Sequence, residues 1–450
     1  MRTFAIILFG QLISMFGSGL TGFALGVWVY QETGSVTQYA LISLFTILPT
    51  VVLSPFIGAL VDRWNRRWVM FMGDAGAGLM SLTIALLFFS GQLTIGAIYV
   101  CLMLASVANT FQWTAWAAST ALLVPKQQLA RANGMIQAAG ALTQICAPLL
   151  AGVLLELIEM RGILLIDVVS FLFALGTLLI VRFPELAENT KARRAIGQEI
   201  TEGWRYIRER PGLMGMLLLF ASANFTLGLV QVLVPPLVLT FASSTALGTV
   251  LSIGGVGALL GSLAISIWGG PRRKVYGVLG GIFVQGAILL LGGFRPSVPL
   301  ITVATFLFLF CFPIVGSCSQ AIWQTKIAPE IQGRVFALRR MVALSASPVA
   351  YLLAGPLVDQ VFEPLLLPEG ALADSVGQVI GVGEGRGIGL LLILLGLGTM
   401  LVVIASWLRP QIRLVELRLP DVISDTPKAA EASPSTAGQL PQLDASETLP

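Results

Sequence analysis

Apolar residues fill long stretches of this chain, and short polar turns separate them. About twelve of these stretches approach the roughly 20 residues that a helix needs to cross a bilayer. A helix satisfies its own backbone hydrogen bonds in lipid, so each stretch is expected to be helical. The predicted spans cover residues 4–30, 40–61, 69–90, 94–123, 132–157, 162–182, 213–241, 245–268, 275–293, 298–325, 336–358 and 387–408.

Composition supports this pattern. Of the 450 residues, 56% are hydrophobic and only 11% are charged, whereas soluble domains carry about 25% charged residues. The chain is therefore predicted to be an all-α membrane protein whose first partner is the lipid bilayer. A soluble enzyme and a nucleic-acid-binding protein are both excluded by this balance.

A polar stretch near the middle of the chain divides the spans six and six. We predict an N-terminal six-helix bundle over residues 1–182, a linker over 183–212 and a C-terminal six-helix bundle over 213–409. Residues 410–450 are rich in Pro, Ser, Thr, Ala and Glu without an apolar period. That composition predicts a disordered tail.

The linker contains one segment with a helical pattern. Its apolar residues recur at helical spacing, and charged residues occupy the other faces. They are Ile196, Ile200, Trp204 and Ile207. The pattern predicts an amphipathic helix on the membrane surface. A plain linker helix and a regulatory or partner-binding helix both remain open.

Basic residues are distributed unevenly between the two sides of the membrane. Alternate connections hold 24 of the 27 Lys and Arg residues, and the other side holds only Arg161, Arg295 and Arg386. We call the first side the basic side and the second the opposite side. Lys and Arg concentrate in cytoplasmic loops, so the basic side and both termini are predicted to be cytoplasmic.

The two halves are related in sequence. The segment Leu149–Gly152, followed by Glu156, recurs as Leu352–Gly355, followed by Asp359, at an offset of 203 residues. Matches at one offset indicate a duplicated six-span unit. The same offset relates Arg131 to Arg334 and Gly58 to Gly261.

The densest polar segment is the turn between the second and third spans. Asp62, Arg63, Arg66 and Arg67 place four charges within six residues. Charged side chains are costly in hydrocarbon, so this turn must lie at a membrane surface. The basic residues assign it to the basic side.

The segment Gly58–Arg67 resembles the G-x-L-A-D-R-x-G-R-R motif of the major facilitator superfamily, in its bacterial branch of macrolide-efflux and enterobactin-export proteins. Val61 and Asn65 stand where the motif has Ala and Gly; Asn tolerates positive φ better than other non-glycine residues. The matching residues are Gly58, Leu60, Asp62, Arg63, Arg66 and Arg67. The resemblance extends from Phe4 to about Arg409. It implies twelve helices in two pseudo-symmetric bundles.

This turn is interpreted as a conformational latch. The resemblance implies that Asp62 approaches the N-terminus of the eleventh span, near Arg334, where a carboxylate is favoured. Such a contact in only one access state would bias the transport equilibrium. The alternative is that its arginines only set topology. The second half has Ile265 where the offset places the acid, so we expect one intact latch and unequal halves.

A second segment, from Ala147 to Gly152, resembles the G-P-x-x-G-G motif that marks exporters in the superfamily. Pro148, Ala151 and Gly152 carry the resemblance here. Proline frees a backbone carbonyl and small residues allow close helix approach. The alternative is a kinked span that has no bearing on transport direction.

Ionisable residues inside spans are functional candidates. Asp74 in span three and Asp167 in span six are candidates for carrying protons. Asp74 could instead pair with an arginine of the nearby turn, and Asp167 could be solvated.

Polar and aromatic residues in spans one, four, seven and ten are the candidates for a substrate path. Aromatic faces and a few neutral hydrogen-bonding groups suit an amphipathic organic molecule. These candidates are Gln11, Trp28, Asn109, Gln112, Trp113, Trp116, Asn224, Gln231, Gln320, Trp323 and Gln324. Some of them are expected to be helix contacts or interface anchors.

The resemblance implies a secondary transporter of the bacterial inner membrane that exports an amphipathic compound by alternating access, coupled to protons, as a monomer without a cofactor. Uptake, or transport of a siderophore or lysolipid, are alternatives, and a membrane receptor or scaffold is the non-transport alternative. The chain has no histidine and no Walker A sequence, so neither a metal site nor ATP hydrolysis is expected. An embedded enzyme would need a convergent nucleophile and base, which the sequence does not offer.

Overall fold

Helices account for nearly all of the regular structure in the computed structural model of this chain, which describes residues 2–61, 64–125, 128–181 and 196–420. The first six helices are α1 (Arg2–Thr33), α2 (Val36–Val61), α3 (Arg66–Phe89), α4 (Ile95–Leu123), α5 (Leu129–Leu157) and α6 (Glu159–Ile180). A linker helix follows as α7 (Ile196–Arg208). The later long helices are α8 (Pro211–Leu239), α9 (Ser244–Trp268), α10 (Lys274–Phe294), α11 (Val298–Lys326), α12 (Pro329–Pro356) and α15 (Arg386–Leu408).

Twelve of these helices are long and apolar enough to cross a membrane. They are α1 to α6, α8 to α12 and α15, which correspond one to one with the predicted spans. The predicted all-α membrane fold is therefore confirmed. Helix α12 begins seven residues before the predicted residue 336, because its first two turns are polar but still helical.

The helices form two bundles of six, one of α1 to α6 and the other of α8 to α12 with α15. Glycines allow the closest approaches inside the second bundle. Gly257 and Gly261 of α9 lie directly against the carbonyl groups of Phe306 and Phe310 of α11, so a side chain at either glycine would overlap backbone atoms. In a membrane, no hydrophobic driving force brings helices together, so their association depends on close packing. Small residues on one helix face permit that packing.

The linker helix α7 packs on the basic end of the C-terminal bundle. Ile207 is fully buried there, whereas Trp204 is 42% exposed. Glu202 pairs with Arg334 at the beginning of α12. The hydroxyl of Tyr206 donates to the carbonyl of Lys326 at 3.4 Å. Helix α7 is thus docked on one half of the molecule.

The chain remains ordered beyond the last span, where the composition predicts a tail from residue 410. Helices α16 (Pro410–Arg413) and α17 (Val415–Arg418) fold back on the bundle, with Val415 fully buried. The carboxylate of Glu416 accepts from the backbone N–H of Lys274 at 3.0 Å and of Val275 at 2.9 Å, which caps α10. Residues 421–450, the rest of the predicted tail, lie outside the described residues.

The longest connection on the opposite side also has structure. It contains a π-helical turn (Leu357–Phe362) and the short helices α13 (Glu363–Leu366) and α14 (Gly377–Ile380). Glu363 accepts from the N–H groups of Gly385 at 2.5 Å and Gly387 at 3.0 Å, and so caps α15. The connection is therefore fixed to the end of the last span.

Candidate functional site

The two halves meet mainly at two places near the opposite side, which we call the first seam (α2 against α12) and the second seam (α5 against α9). In the first seam, the carboxylate of Asp359 reaches the beginning of α2. It accepts hydrogen bonds from Ser35 Oγ at 2.7 Å, Val36 N at 3.0 Å and Thr37 N at 2.9 Å. The first N–H groups of a helix lack intrahelical acceptors and form its positive end. A carboxylate from the other half therefore stabilises this helix end.

A glycine brings the two helices of the first seam together. Gly355, one helical turn before Asp359, faces the backbone of Thr37 so closely that any side chain would overlap it. Helix α2 has no acidic residue in its own first turn. Its only acidic cap among the described residues therefore comes from the other half of the molecule, and the cap is lost when the seam opens.

The second seam repeats this arrangement. The carboxylate of Glu156, at the end of α5, accepts from Ser244 Oγ and from Thr245 N, both at 3.3 Å, at the beginning of α9. Thr245 Oγ1 also donates to the carbonyl of Gly152 at 3.2 Å. A Cβ atom on Gly152 would lie 3.0 Å from the Cα of Thr245. Helix α9 has no acidic residue in its first turn either.

The segment predicted to mark exporters lies in this second seam. The carbonyl of Pro148 faces Gly248 of α9, and Ser252 Oγ of α9 donates to the carbonyl of Ile145. Ala151 points the other way and is fully buried in the N-terminal half. The small residues of the motif thus allow α5 to contact both its own bundle and α9.

The sequence repeat and the two seams coincide. The offset of 203 residues takes Gly152 to Gly355 and Glu156 to Asp359. The same pair, a glycine for close approach and a carboxylate one turn later, therefore serves both seams. The internal repeat found in the sequence marks the surfaces by which the halves touch.

Toward the basic side the halves separate. Helix α5 packs on α9 from Gln144 onward, but among the described residues nothing lies within 4 Å of the Cβ positions of Gly134 and Gly140. The same holds for Gly316 of α11 and Gly333 of α12. Among the described residues, the extensive contacts between the halves are those of the two seams, which indicates a molecule closed at the opposite side and open toward the basic side.

The polar turn after α2 can be followed only in part, because Asp62 and Arg63 lie outside the described residues. Gly58 belongs to α2, and Arg66 begins α3. Asn65 has φ −63°, so it does not use the positive φ that asparagine tolerates. Its side chain accepts from the N–H two residues later at 3.1 Å and caps α3. The capping role explains asparagine here.

Arg67 acts within the N-terminal half. Its Nη2 donates to the carbonyl of Leu178 at 3.3 Å and of Leu179 at 2.9 Å, at the end of α6. A cation favours the negative end of a helix. This arginine therefore joins α3 to α6. The contact between Asp62 and α12 remains a prediction.

Asp74 ends a buried chain of hydrogen bonds that crosses three helices. It is 2% exposed, and Gln11 Nε2 of α1 donates to its Oδ2 at 2.6 Å. Gln112 Nε2 of α4 donates in turn to Gln11 Oε1 at 2.7 Å. The structure therefore brings together three of the residues that the sequence singled out. Arg67, one of the arginines of the nearby turn, donates to carbonyl groups of α6 instead.

Asp167 is enclosed between α1, α3 and α6. It is 1% exposed, so the alternative of a solvated carboxylate does not hold in this state. Ser81 Oγ donates to its Oδ2 at 2.8 Å, while Oδ1 is buried without a partner among the described residues. Gly17 makes room for it, because a Cβ there would lie 2.8 Å from Oδ1.

The candidate path residues of the N-terminal half separate into two groups. Trp113 is 51% exposed, and Asn109 is exposed one turn away on the same face of α4. Trp116 is 2% exposed and stacks on Phe4, with the ring centroids 5.4 Å apart. Trp28 is partly buried and packs against the apolar core of the N-terminal half. Only the first group is exposed, and its contact with a substrate remains a prediction.

The C-terminal half shows the same division. Gln324 is exposed on α11, and Gln231 is exposed on α8, where its Oε1 accepts from Tyr351 OH at 3.0 Å. Asn224 Nδ2 donates to a carbonyl of its own helix at 2.8 Å, and Trp323 is fully buried.

Arg339 is a candidate that the sequence reasoning missed. The charge count assigned it to the basic-side connections, yet it is 6% exposed inside the bundle. Its Nη1 donates to Gln320 Oε1 at 2.6 Å. The available signal was its position three residues inside the predicted span 336–358. Glu156 and Asp359 were noticed only as markers of the repeat.

Curated relatives resemble this chain over most of their length. Macrolide efflux protein A of Streptococcus pyogenes is 28% identical over 363 residues, which are 78% of this chain and 88% of that protein. The multidrug efflux pump Tap of Mycolicibacterium fortuitum is 23% identical over 362 residues, 79% of this chain and 88% of that pump.

Solved structures share the fold at low identity. A bacterial homologue of the human lysosomal transporter Spinster, inward-facing and unoccupied, gives a TM-score of 0.69 at 14% identity, covering 94% of this chain and 99% of that one. The nucleoside transporter NupG gives 0.67 at 13% identity, covering 90% and 99%. The profile of the Major Facilitator Superfamily matches residues 7–351, so this chain is a multi-pass membrane transporter of the Major Facilitator Superfamily.

Proposed function

We propose that this transporter exports amphipathic small molecules across the bacterial inner membrane in exchange for protons, by alternating access between its two halves. Relatives named for macrolide and multidrug efflux support export. The excess of basic residues on one side supports a cytoplasmic location for that side and for both termini. We further propose that the transporter works as a monomer.

The paired seams carry this proposal. Both lie at the opposite side, and each holds a helix of one half by a carboxylate of the other. With the basic side in the cytoplasm, the described state is inward-facing. Opening to the outside requires Asp359 and Glu156 to release α2 and α9, whose N–H groups then bind water. Contacts present in one state alone set the balance between the two states.

The substrate enters from the cytoplasm along the open faces of α4 and α11. Trp113 and Asn109 offer an aromatic face and an amide from the N-terminal half, while Gln324 offers an amide from the C-terminal half. Such surfaces suit a molecule with an apolar body and a few polar groups.

The buried acids of the N-terminal half are the groups proposed to carry protons. Asp74 connects through Gln11 to Gln112, which precedes the exposed Trp113 on α4. A substrate that shifts α4 therefore acts directly on the chain of hydrogen bonds that holds Asp74. Asp167 contacts the same helix α1 at Gly17. A movement of α1 during the transition would change the surroundings of both acids together.

Inverted membrane vesicles from a strain without its own exporters test this function. Their lumen corresponds to the outside and becomes acidic on energisation. We expect an amphipathic fluorescent dye to accumulate in the lumen, to release protons outward as it does so, and to leak back when a protonophore is added. At matched abundance, Asp74→Asn is expected to abolish gradient-driven accumulation.

Two results would contradict the proposal. Accumulation that persists after the proton gradient is collapsed would exclude proton exchange. Absence of accumulation for dyes, macrolides, siderophores and lysolipids alike, with the protein present in the membrane, would exclude export.

A further inference from the structure

A buried guanidinium lies in the C-terminal half, about three turns into α12. Arg339 contacts α11 through hydrogen bonds and α8 through the ring of Phe220, so three helices enclose it. Charged residues are rare in membrane-spanning segments, and those that occur usually serve function. The surroundings of Arg339 therefore indicate its role.

Among the described residues, the groups that contact this guanidinium are neutral. Its Nη1 donates to Gln320 Oε1 at 2.6 Å, and its Nη2 to Ser319 Oγ at 3.1 Å. Its Cζ lies 4.5 Å from the ring centroid of Phe220 and 5.4 Å from that of Trp323. Neither ion pair between described residues involves Arg339. The positive charge is thus held in place but not neutralised by these residues.

Two donors at this position are unused among the described residues. Arg339 Nε and Trp323 Nε1 are both buried without a hydrogen-bond partner. A buried donor without an acceptor is unfavourable, and native proteins contain few of them. Here two lie on neighbouring side chains, one of them charged. Both would be satisfied by a single group that carries negatively charged oxygens.

Other buried cations of the same half are satisfied differently. Lys326 Nζ donates to the carbonyls of Glu416 and Leu419, both at 2.6 Å. Arg386 Nη1 donates to the carbonyl of Ile380 at 3.2 Å. These cations bind backbone oxygens at the ends of the short helices α17 and α14. Arg339 has no backbone acceptor of this kind in the described structure, so a capping role does not explain it.

The guanidinium lies next to an open polar surface. Gly316, Gln320 and Gln324 follow at intervals of one turn along α11, and therefore share a face. Open space lies beyond Gly316, Gln320 is half-buried and Gln324 is exposed. Gln320, which holds Arg339, thus links the guanidinium to this partly exposed face of α11. Rotation of this one amide would bring the guanidinium toward that face.

We propose that Arg339, Gln320 and Trp323 form an anion subsite that takes the carboxylate or phosphate group of an amphipathic substrate. The assignment rests on the proposed export function and defines its substrate class. An incoming oxyanion replaces Gln320 as acceptor and also takes the unused Nε. The planar guanidinium matches carboxylate and phosphate with two parallel hydrogen bonds. The rings of Phe220 and Trp323 hold that plane in orientation.

Binding of four dansyl-alkyl probes to the purified full-length transporter tests the subsite. The probes share one body and end in a carboxylate, a phosphate monoester, a neutral amide or an amine. We expect Arg339→Gln to weaken binding of the two anionic probes by about tenfold or more, because charge-assisted hydrogen bonds are lost. The amide and amine probes should change by less than about twofold.

Matched variants separate this role from folding. Arg340→Gln removes an exposed charge from the next position and should leave all four affinities unchanged. Arg339→Lys keeps the charge but not the planar fork, so it should restore carboxylate binding only in part. If Arg339→Gln is not produced, Trp323→Phe removes the indole N–H together with its five-membered ring, and it should weaken both anionic probes by about threefold while the amide and amine probes change by less than about twofold.

The outcomes are distinct from those of the export test. A loss confined to the phosphate probe assigns the subsite to phosphorylated lipids, and a loss confined to the carboxylate probe assigns it to organic acids. Equal weakening of all four probes, or equal binding of the anionic and amide probes by the unmodified protein, would overturn the subsite. Failure of export appears separately, as absence of gradient-driven accumulation of the neutral amide probe in vesicles.

Discussion

The two seams are built from the same repeated segment but differ in strength. Asp359 accepts three hydrogen bonds of 2.7 to 3.0 Å and is half-buried. Glu156 is exposed and accepts its bonds from Ser244 and Thr245 at 3.3 Å. Shielding from water strengthens a charged contact, and shorter bonds are stronger. Asp359 therefore contributes more to the closed state than Glu156.

The difference shows how a duplicated unit becomes unequal. In the second seam, Thr245 Oγ1 bonds the carbonyl of Gly152, and Ser252 bonds Ile145, so neutral contacts spread along α5. In the first seam, the hydrogen bonds between the halves concentrate at Asp359, beside an apolar cluster that α2 shares with α12. The polar contacts of one seam thus depend on a single charge, whereas those of the other spread along a longer surface. Substitutions at equivalent positions should therefore have unequal effects.

The largest effect is expected from Gly355→Ala in the first seam. The added Cβ would overlap the backbone of Thr37, which cannot move aside as a flexible side chain can. Overpacking of this kind costs about 1–3 kcal/mol, and only in the closed state. Spin labels at Gln92→Cys and Arg295→Cys, in a cysteine-free background, report the distance across the opposite side. We expect the distribution to shift toward the long distance.

Gly398→Ala is the matched control, because nothing lies within 4 Å of its Cβ position. It should leave the distance unchanged. An unshifted distribution in the Gly355 variant would mean that the first seam is not tightly packed.

The next effect is expected from Asp359→Asn. The amide keeps the shape but loses the charge that stabilises the beginning of α2, a contribution of up to about 2 kcal/mol for a partly buried group. The same labels should show a shift toward the long distance that is smaller than the shift produced by Gly355→Ala. Asp374→Asn changes an exposed acid of the same connection and serves as control.

Glu156→Gln should produce a shift in the same direction, but smaller than that of Asp359→Asn. The carboxylate is exposed, and neutral contacts remain along the second seam. Equal shifts for the two substitutions would contradict the prediction that the carboxylates of the two seams contribute unequally. Glu159→Gln, in the adjacent turn, provides the control for a lost surface charge.

Asp62→Asn is expected to have the smallest effect on the resting distribution, and in the opposite direction. If Asp62 stabilises the outward-open state at the basic side, its loss depletes a state that is already minor. Distances should then change little, while export falls at unchanged membrane abundance. Normal export by this variant would contradict the latch.

The sequence was sufficient to predict the architecture, because the thickness of the bilayer sets the length of the apolar segments that cross it. All twelve spans and their division into six and six followed from it. The sequence was insufficient for polar segments that are nevertheless helical or packed against the bundle. The polar residues Gln332 and Arg334 predict a loop before residue 336, but they belong to the first turns of α12. The composition of residues 410–420 predicts a tail, yet the buried Ile412 and Val415 and the hydrogen bonds of Glu416 hold this segment on the bundle.

The candidate site was predicted less well, because periodicity does not fix the rotation of a helix that is apolar on all sides. Trp113 and Trp116 lie within one turn on α4, but one is exposed and the other fully packed. Gln11, Gln112 and Asp74 were each noted separately, and only the fold shows that they form one chain. The sequence predicts Arg339 as a surface charge, because the topology rule uses only the position of each arginine in the chain and not the direction of its side chain.

Paired distances across both sides of the same molecule test the central claim of alternating access. Labels at Gln92→Cys and Arg295→Cys report the opposite side, and labels at Arg131→Cys and Gly333→Cys report the basic side, in liposomes with and without a proton gradient and an exported dye. The account predicts a short opposite-side and a long basic-side distance at rest, and a reciprocal exchange during transport. Distances that change together, or a basic side that never closes, would contradict it.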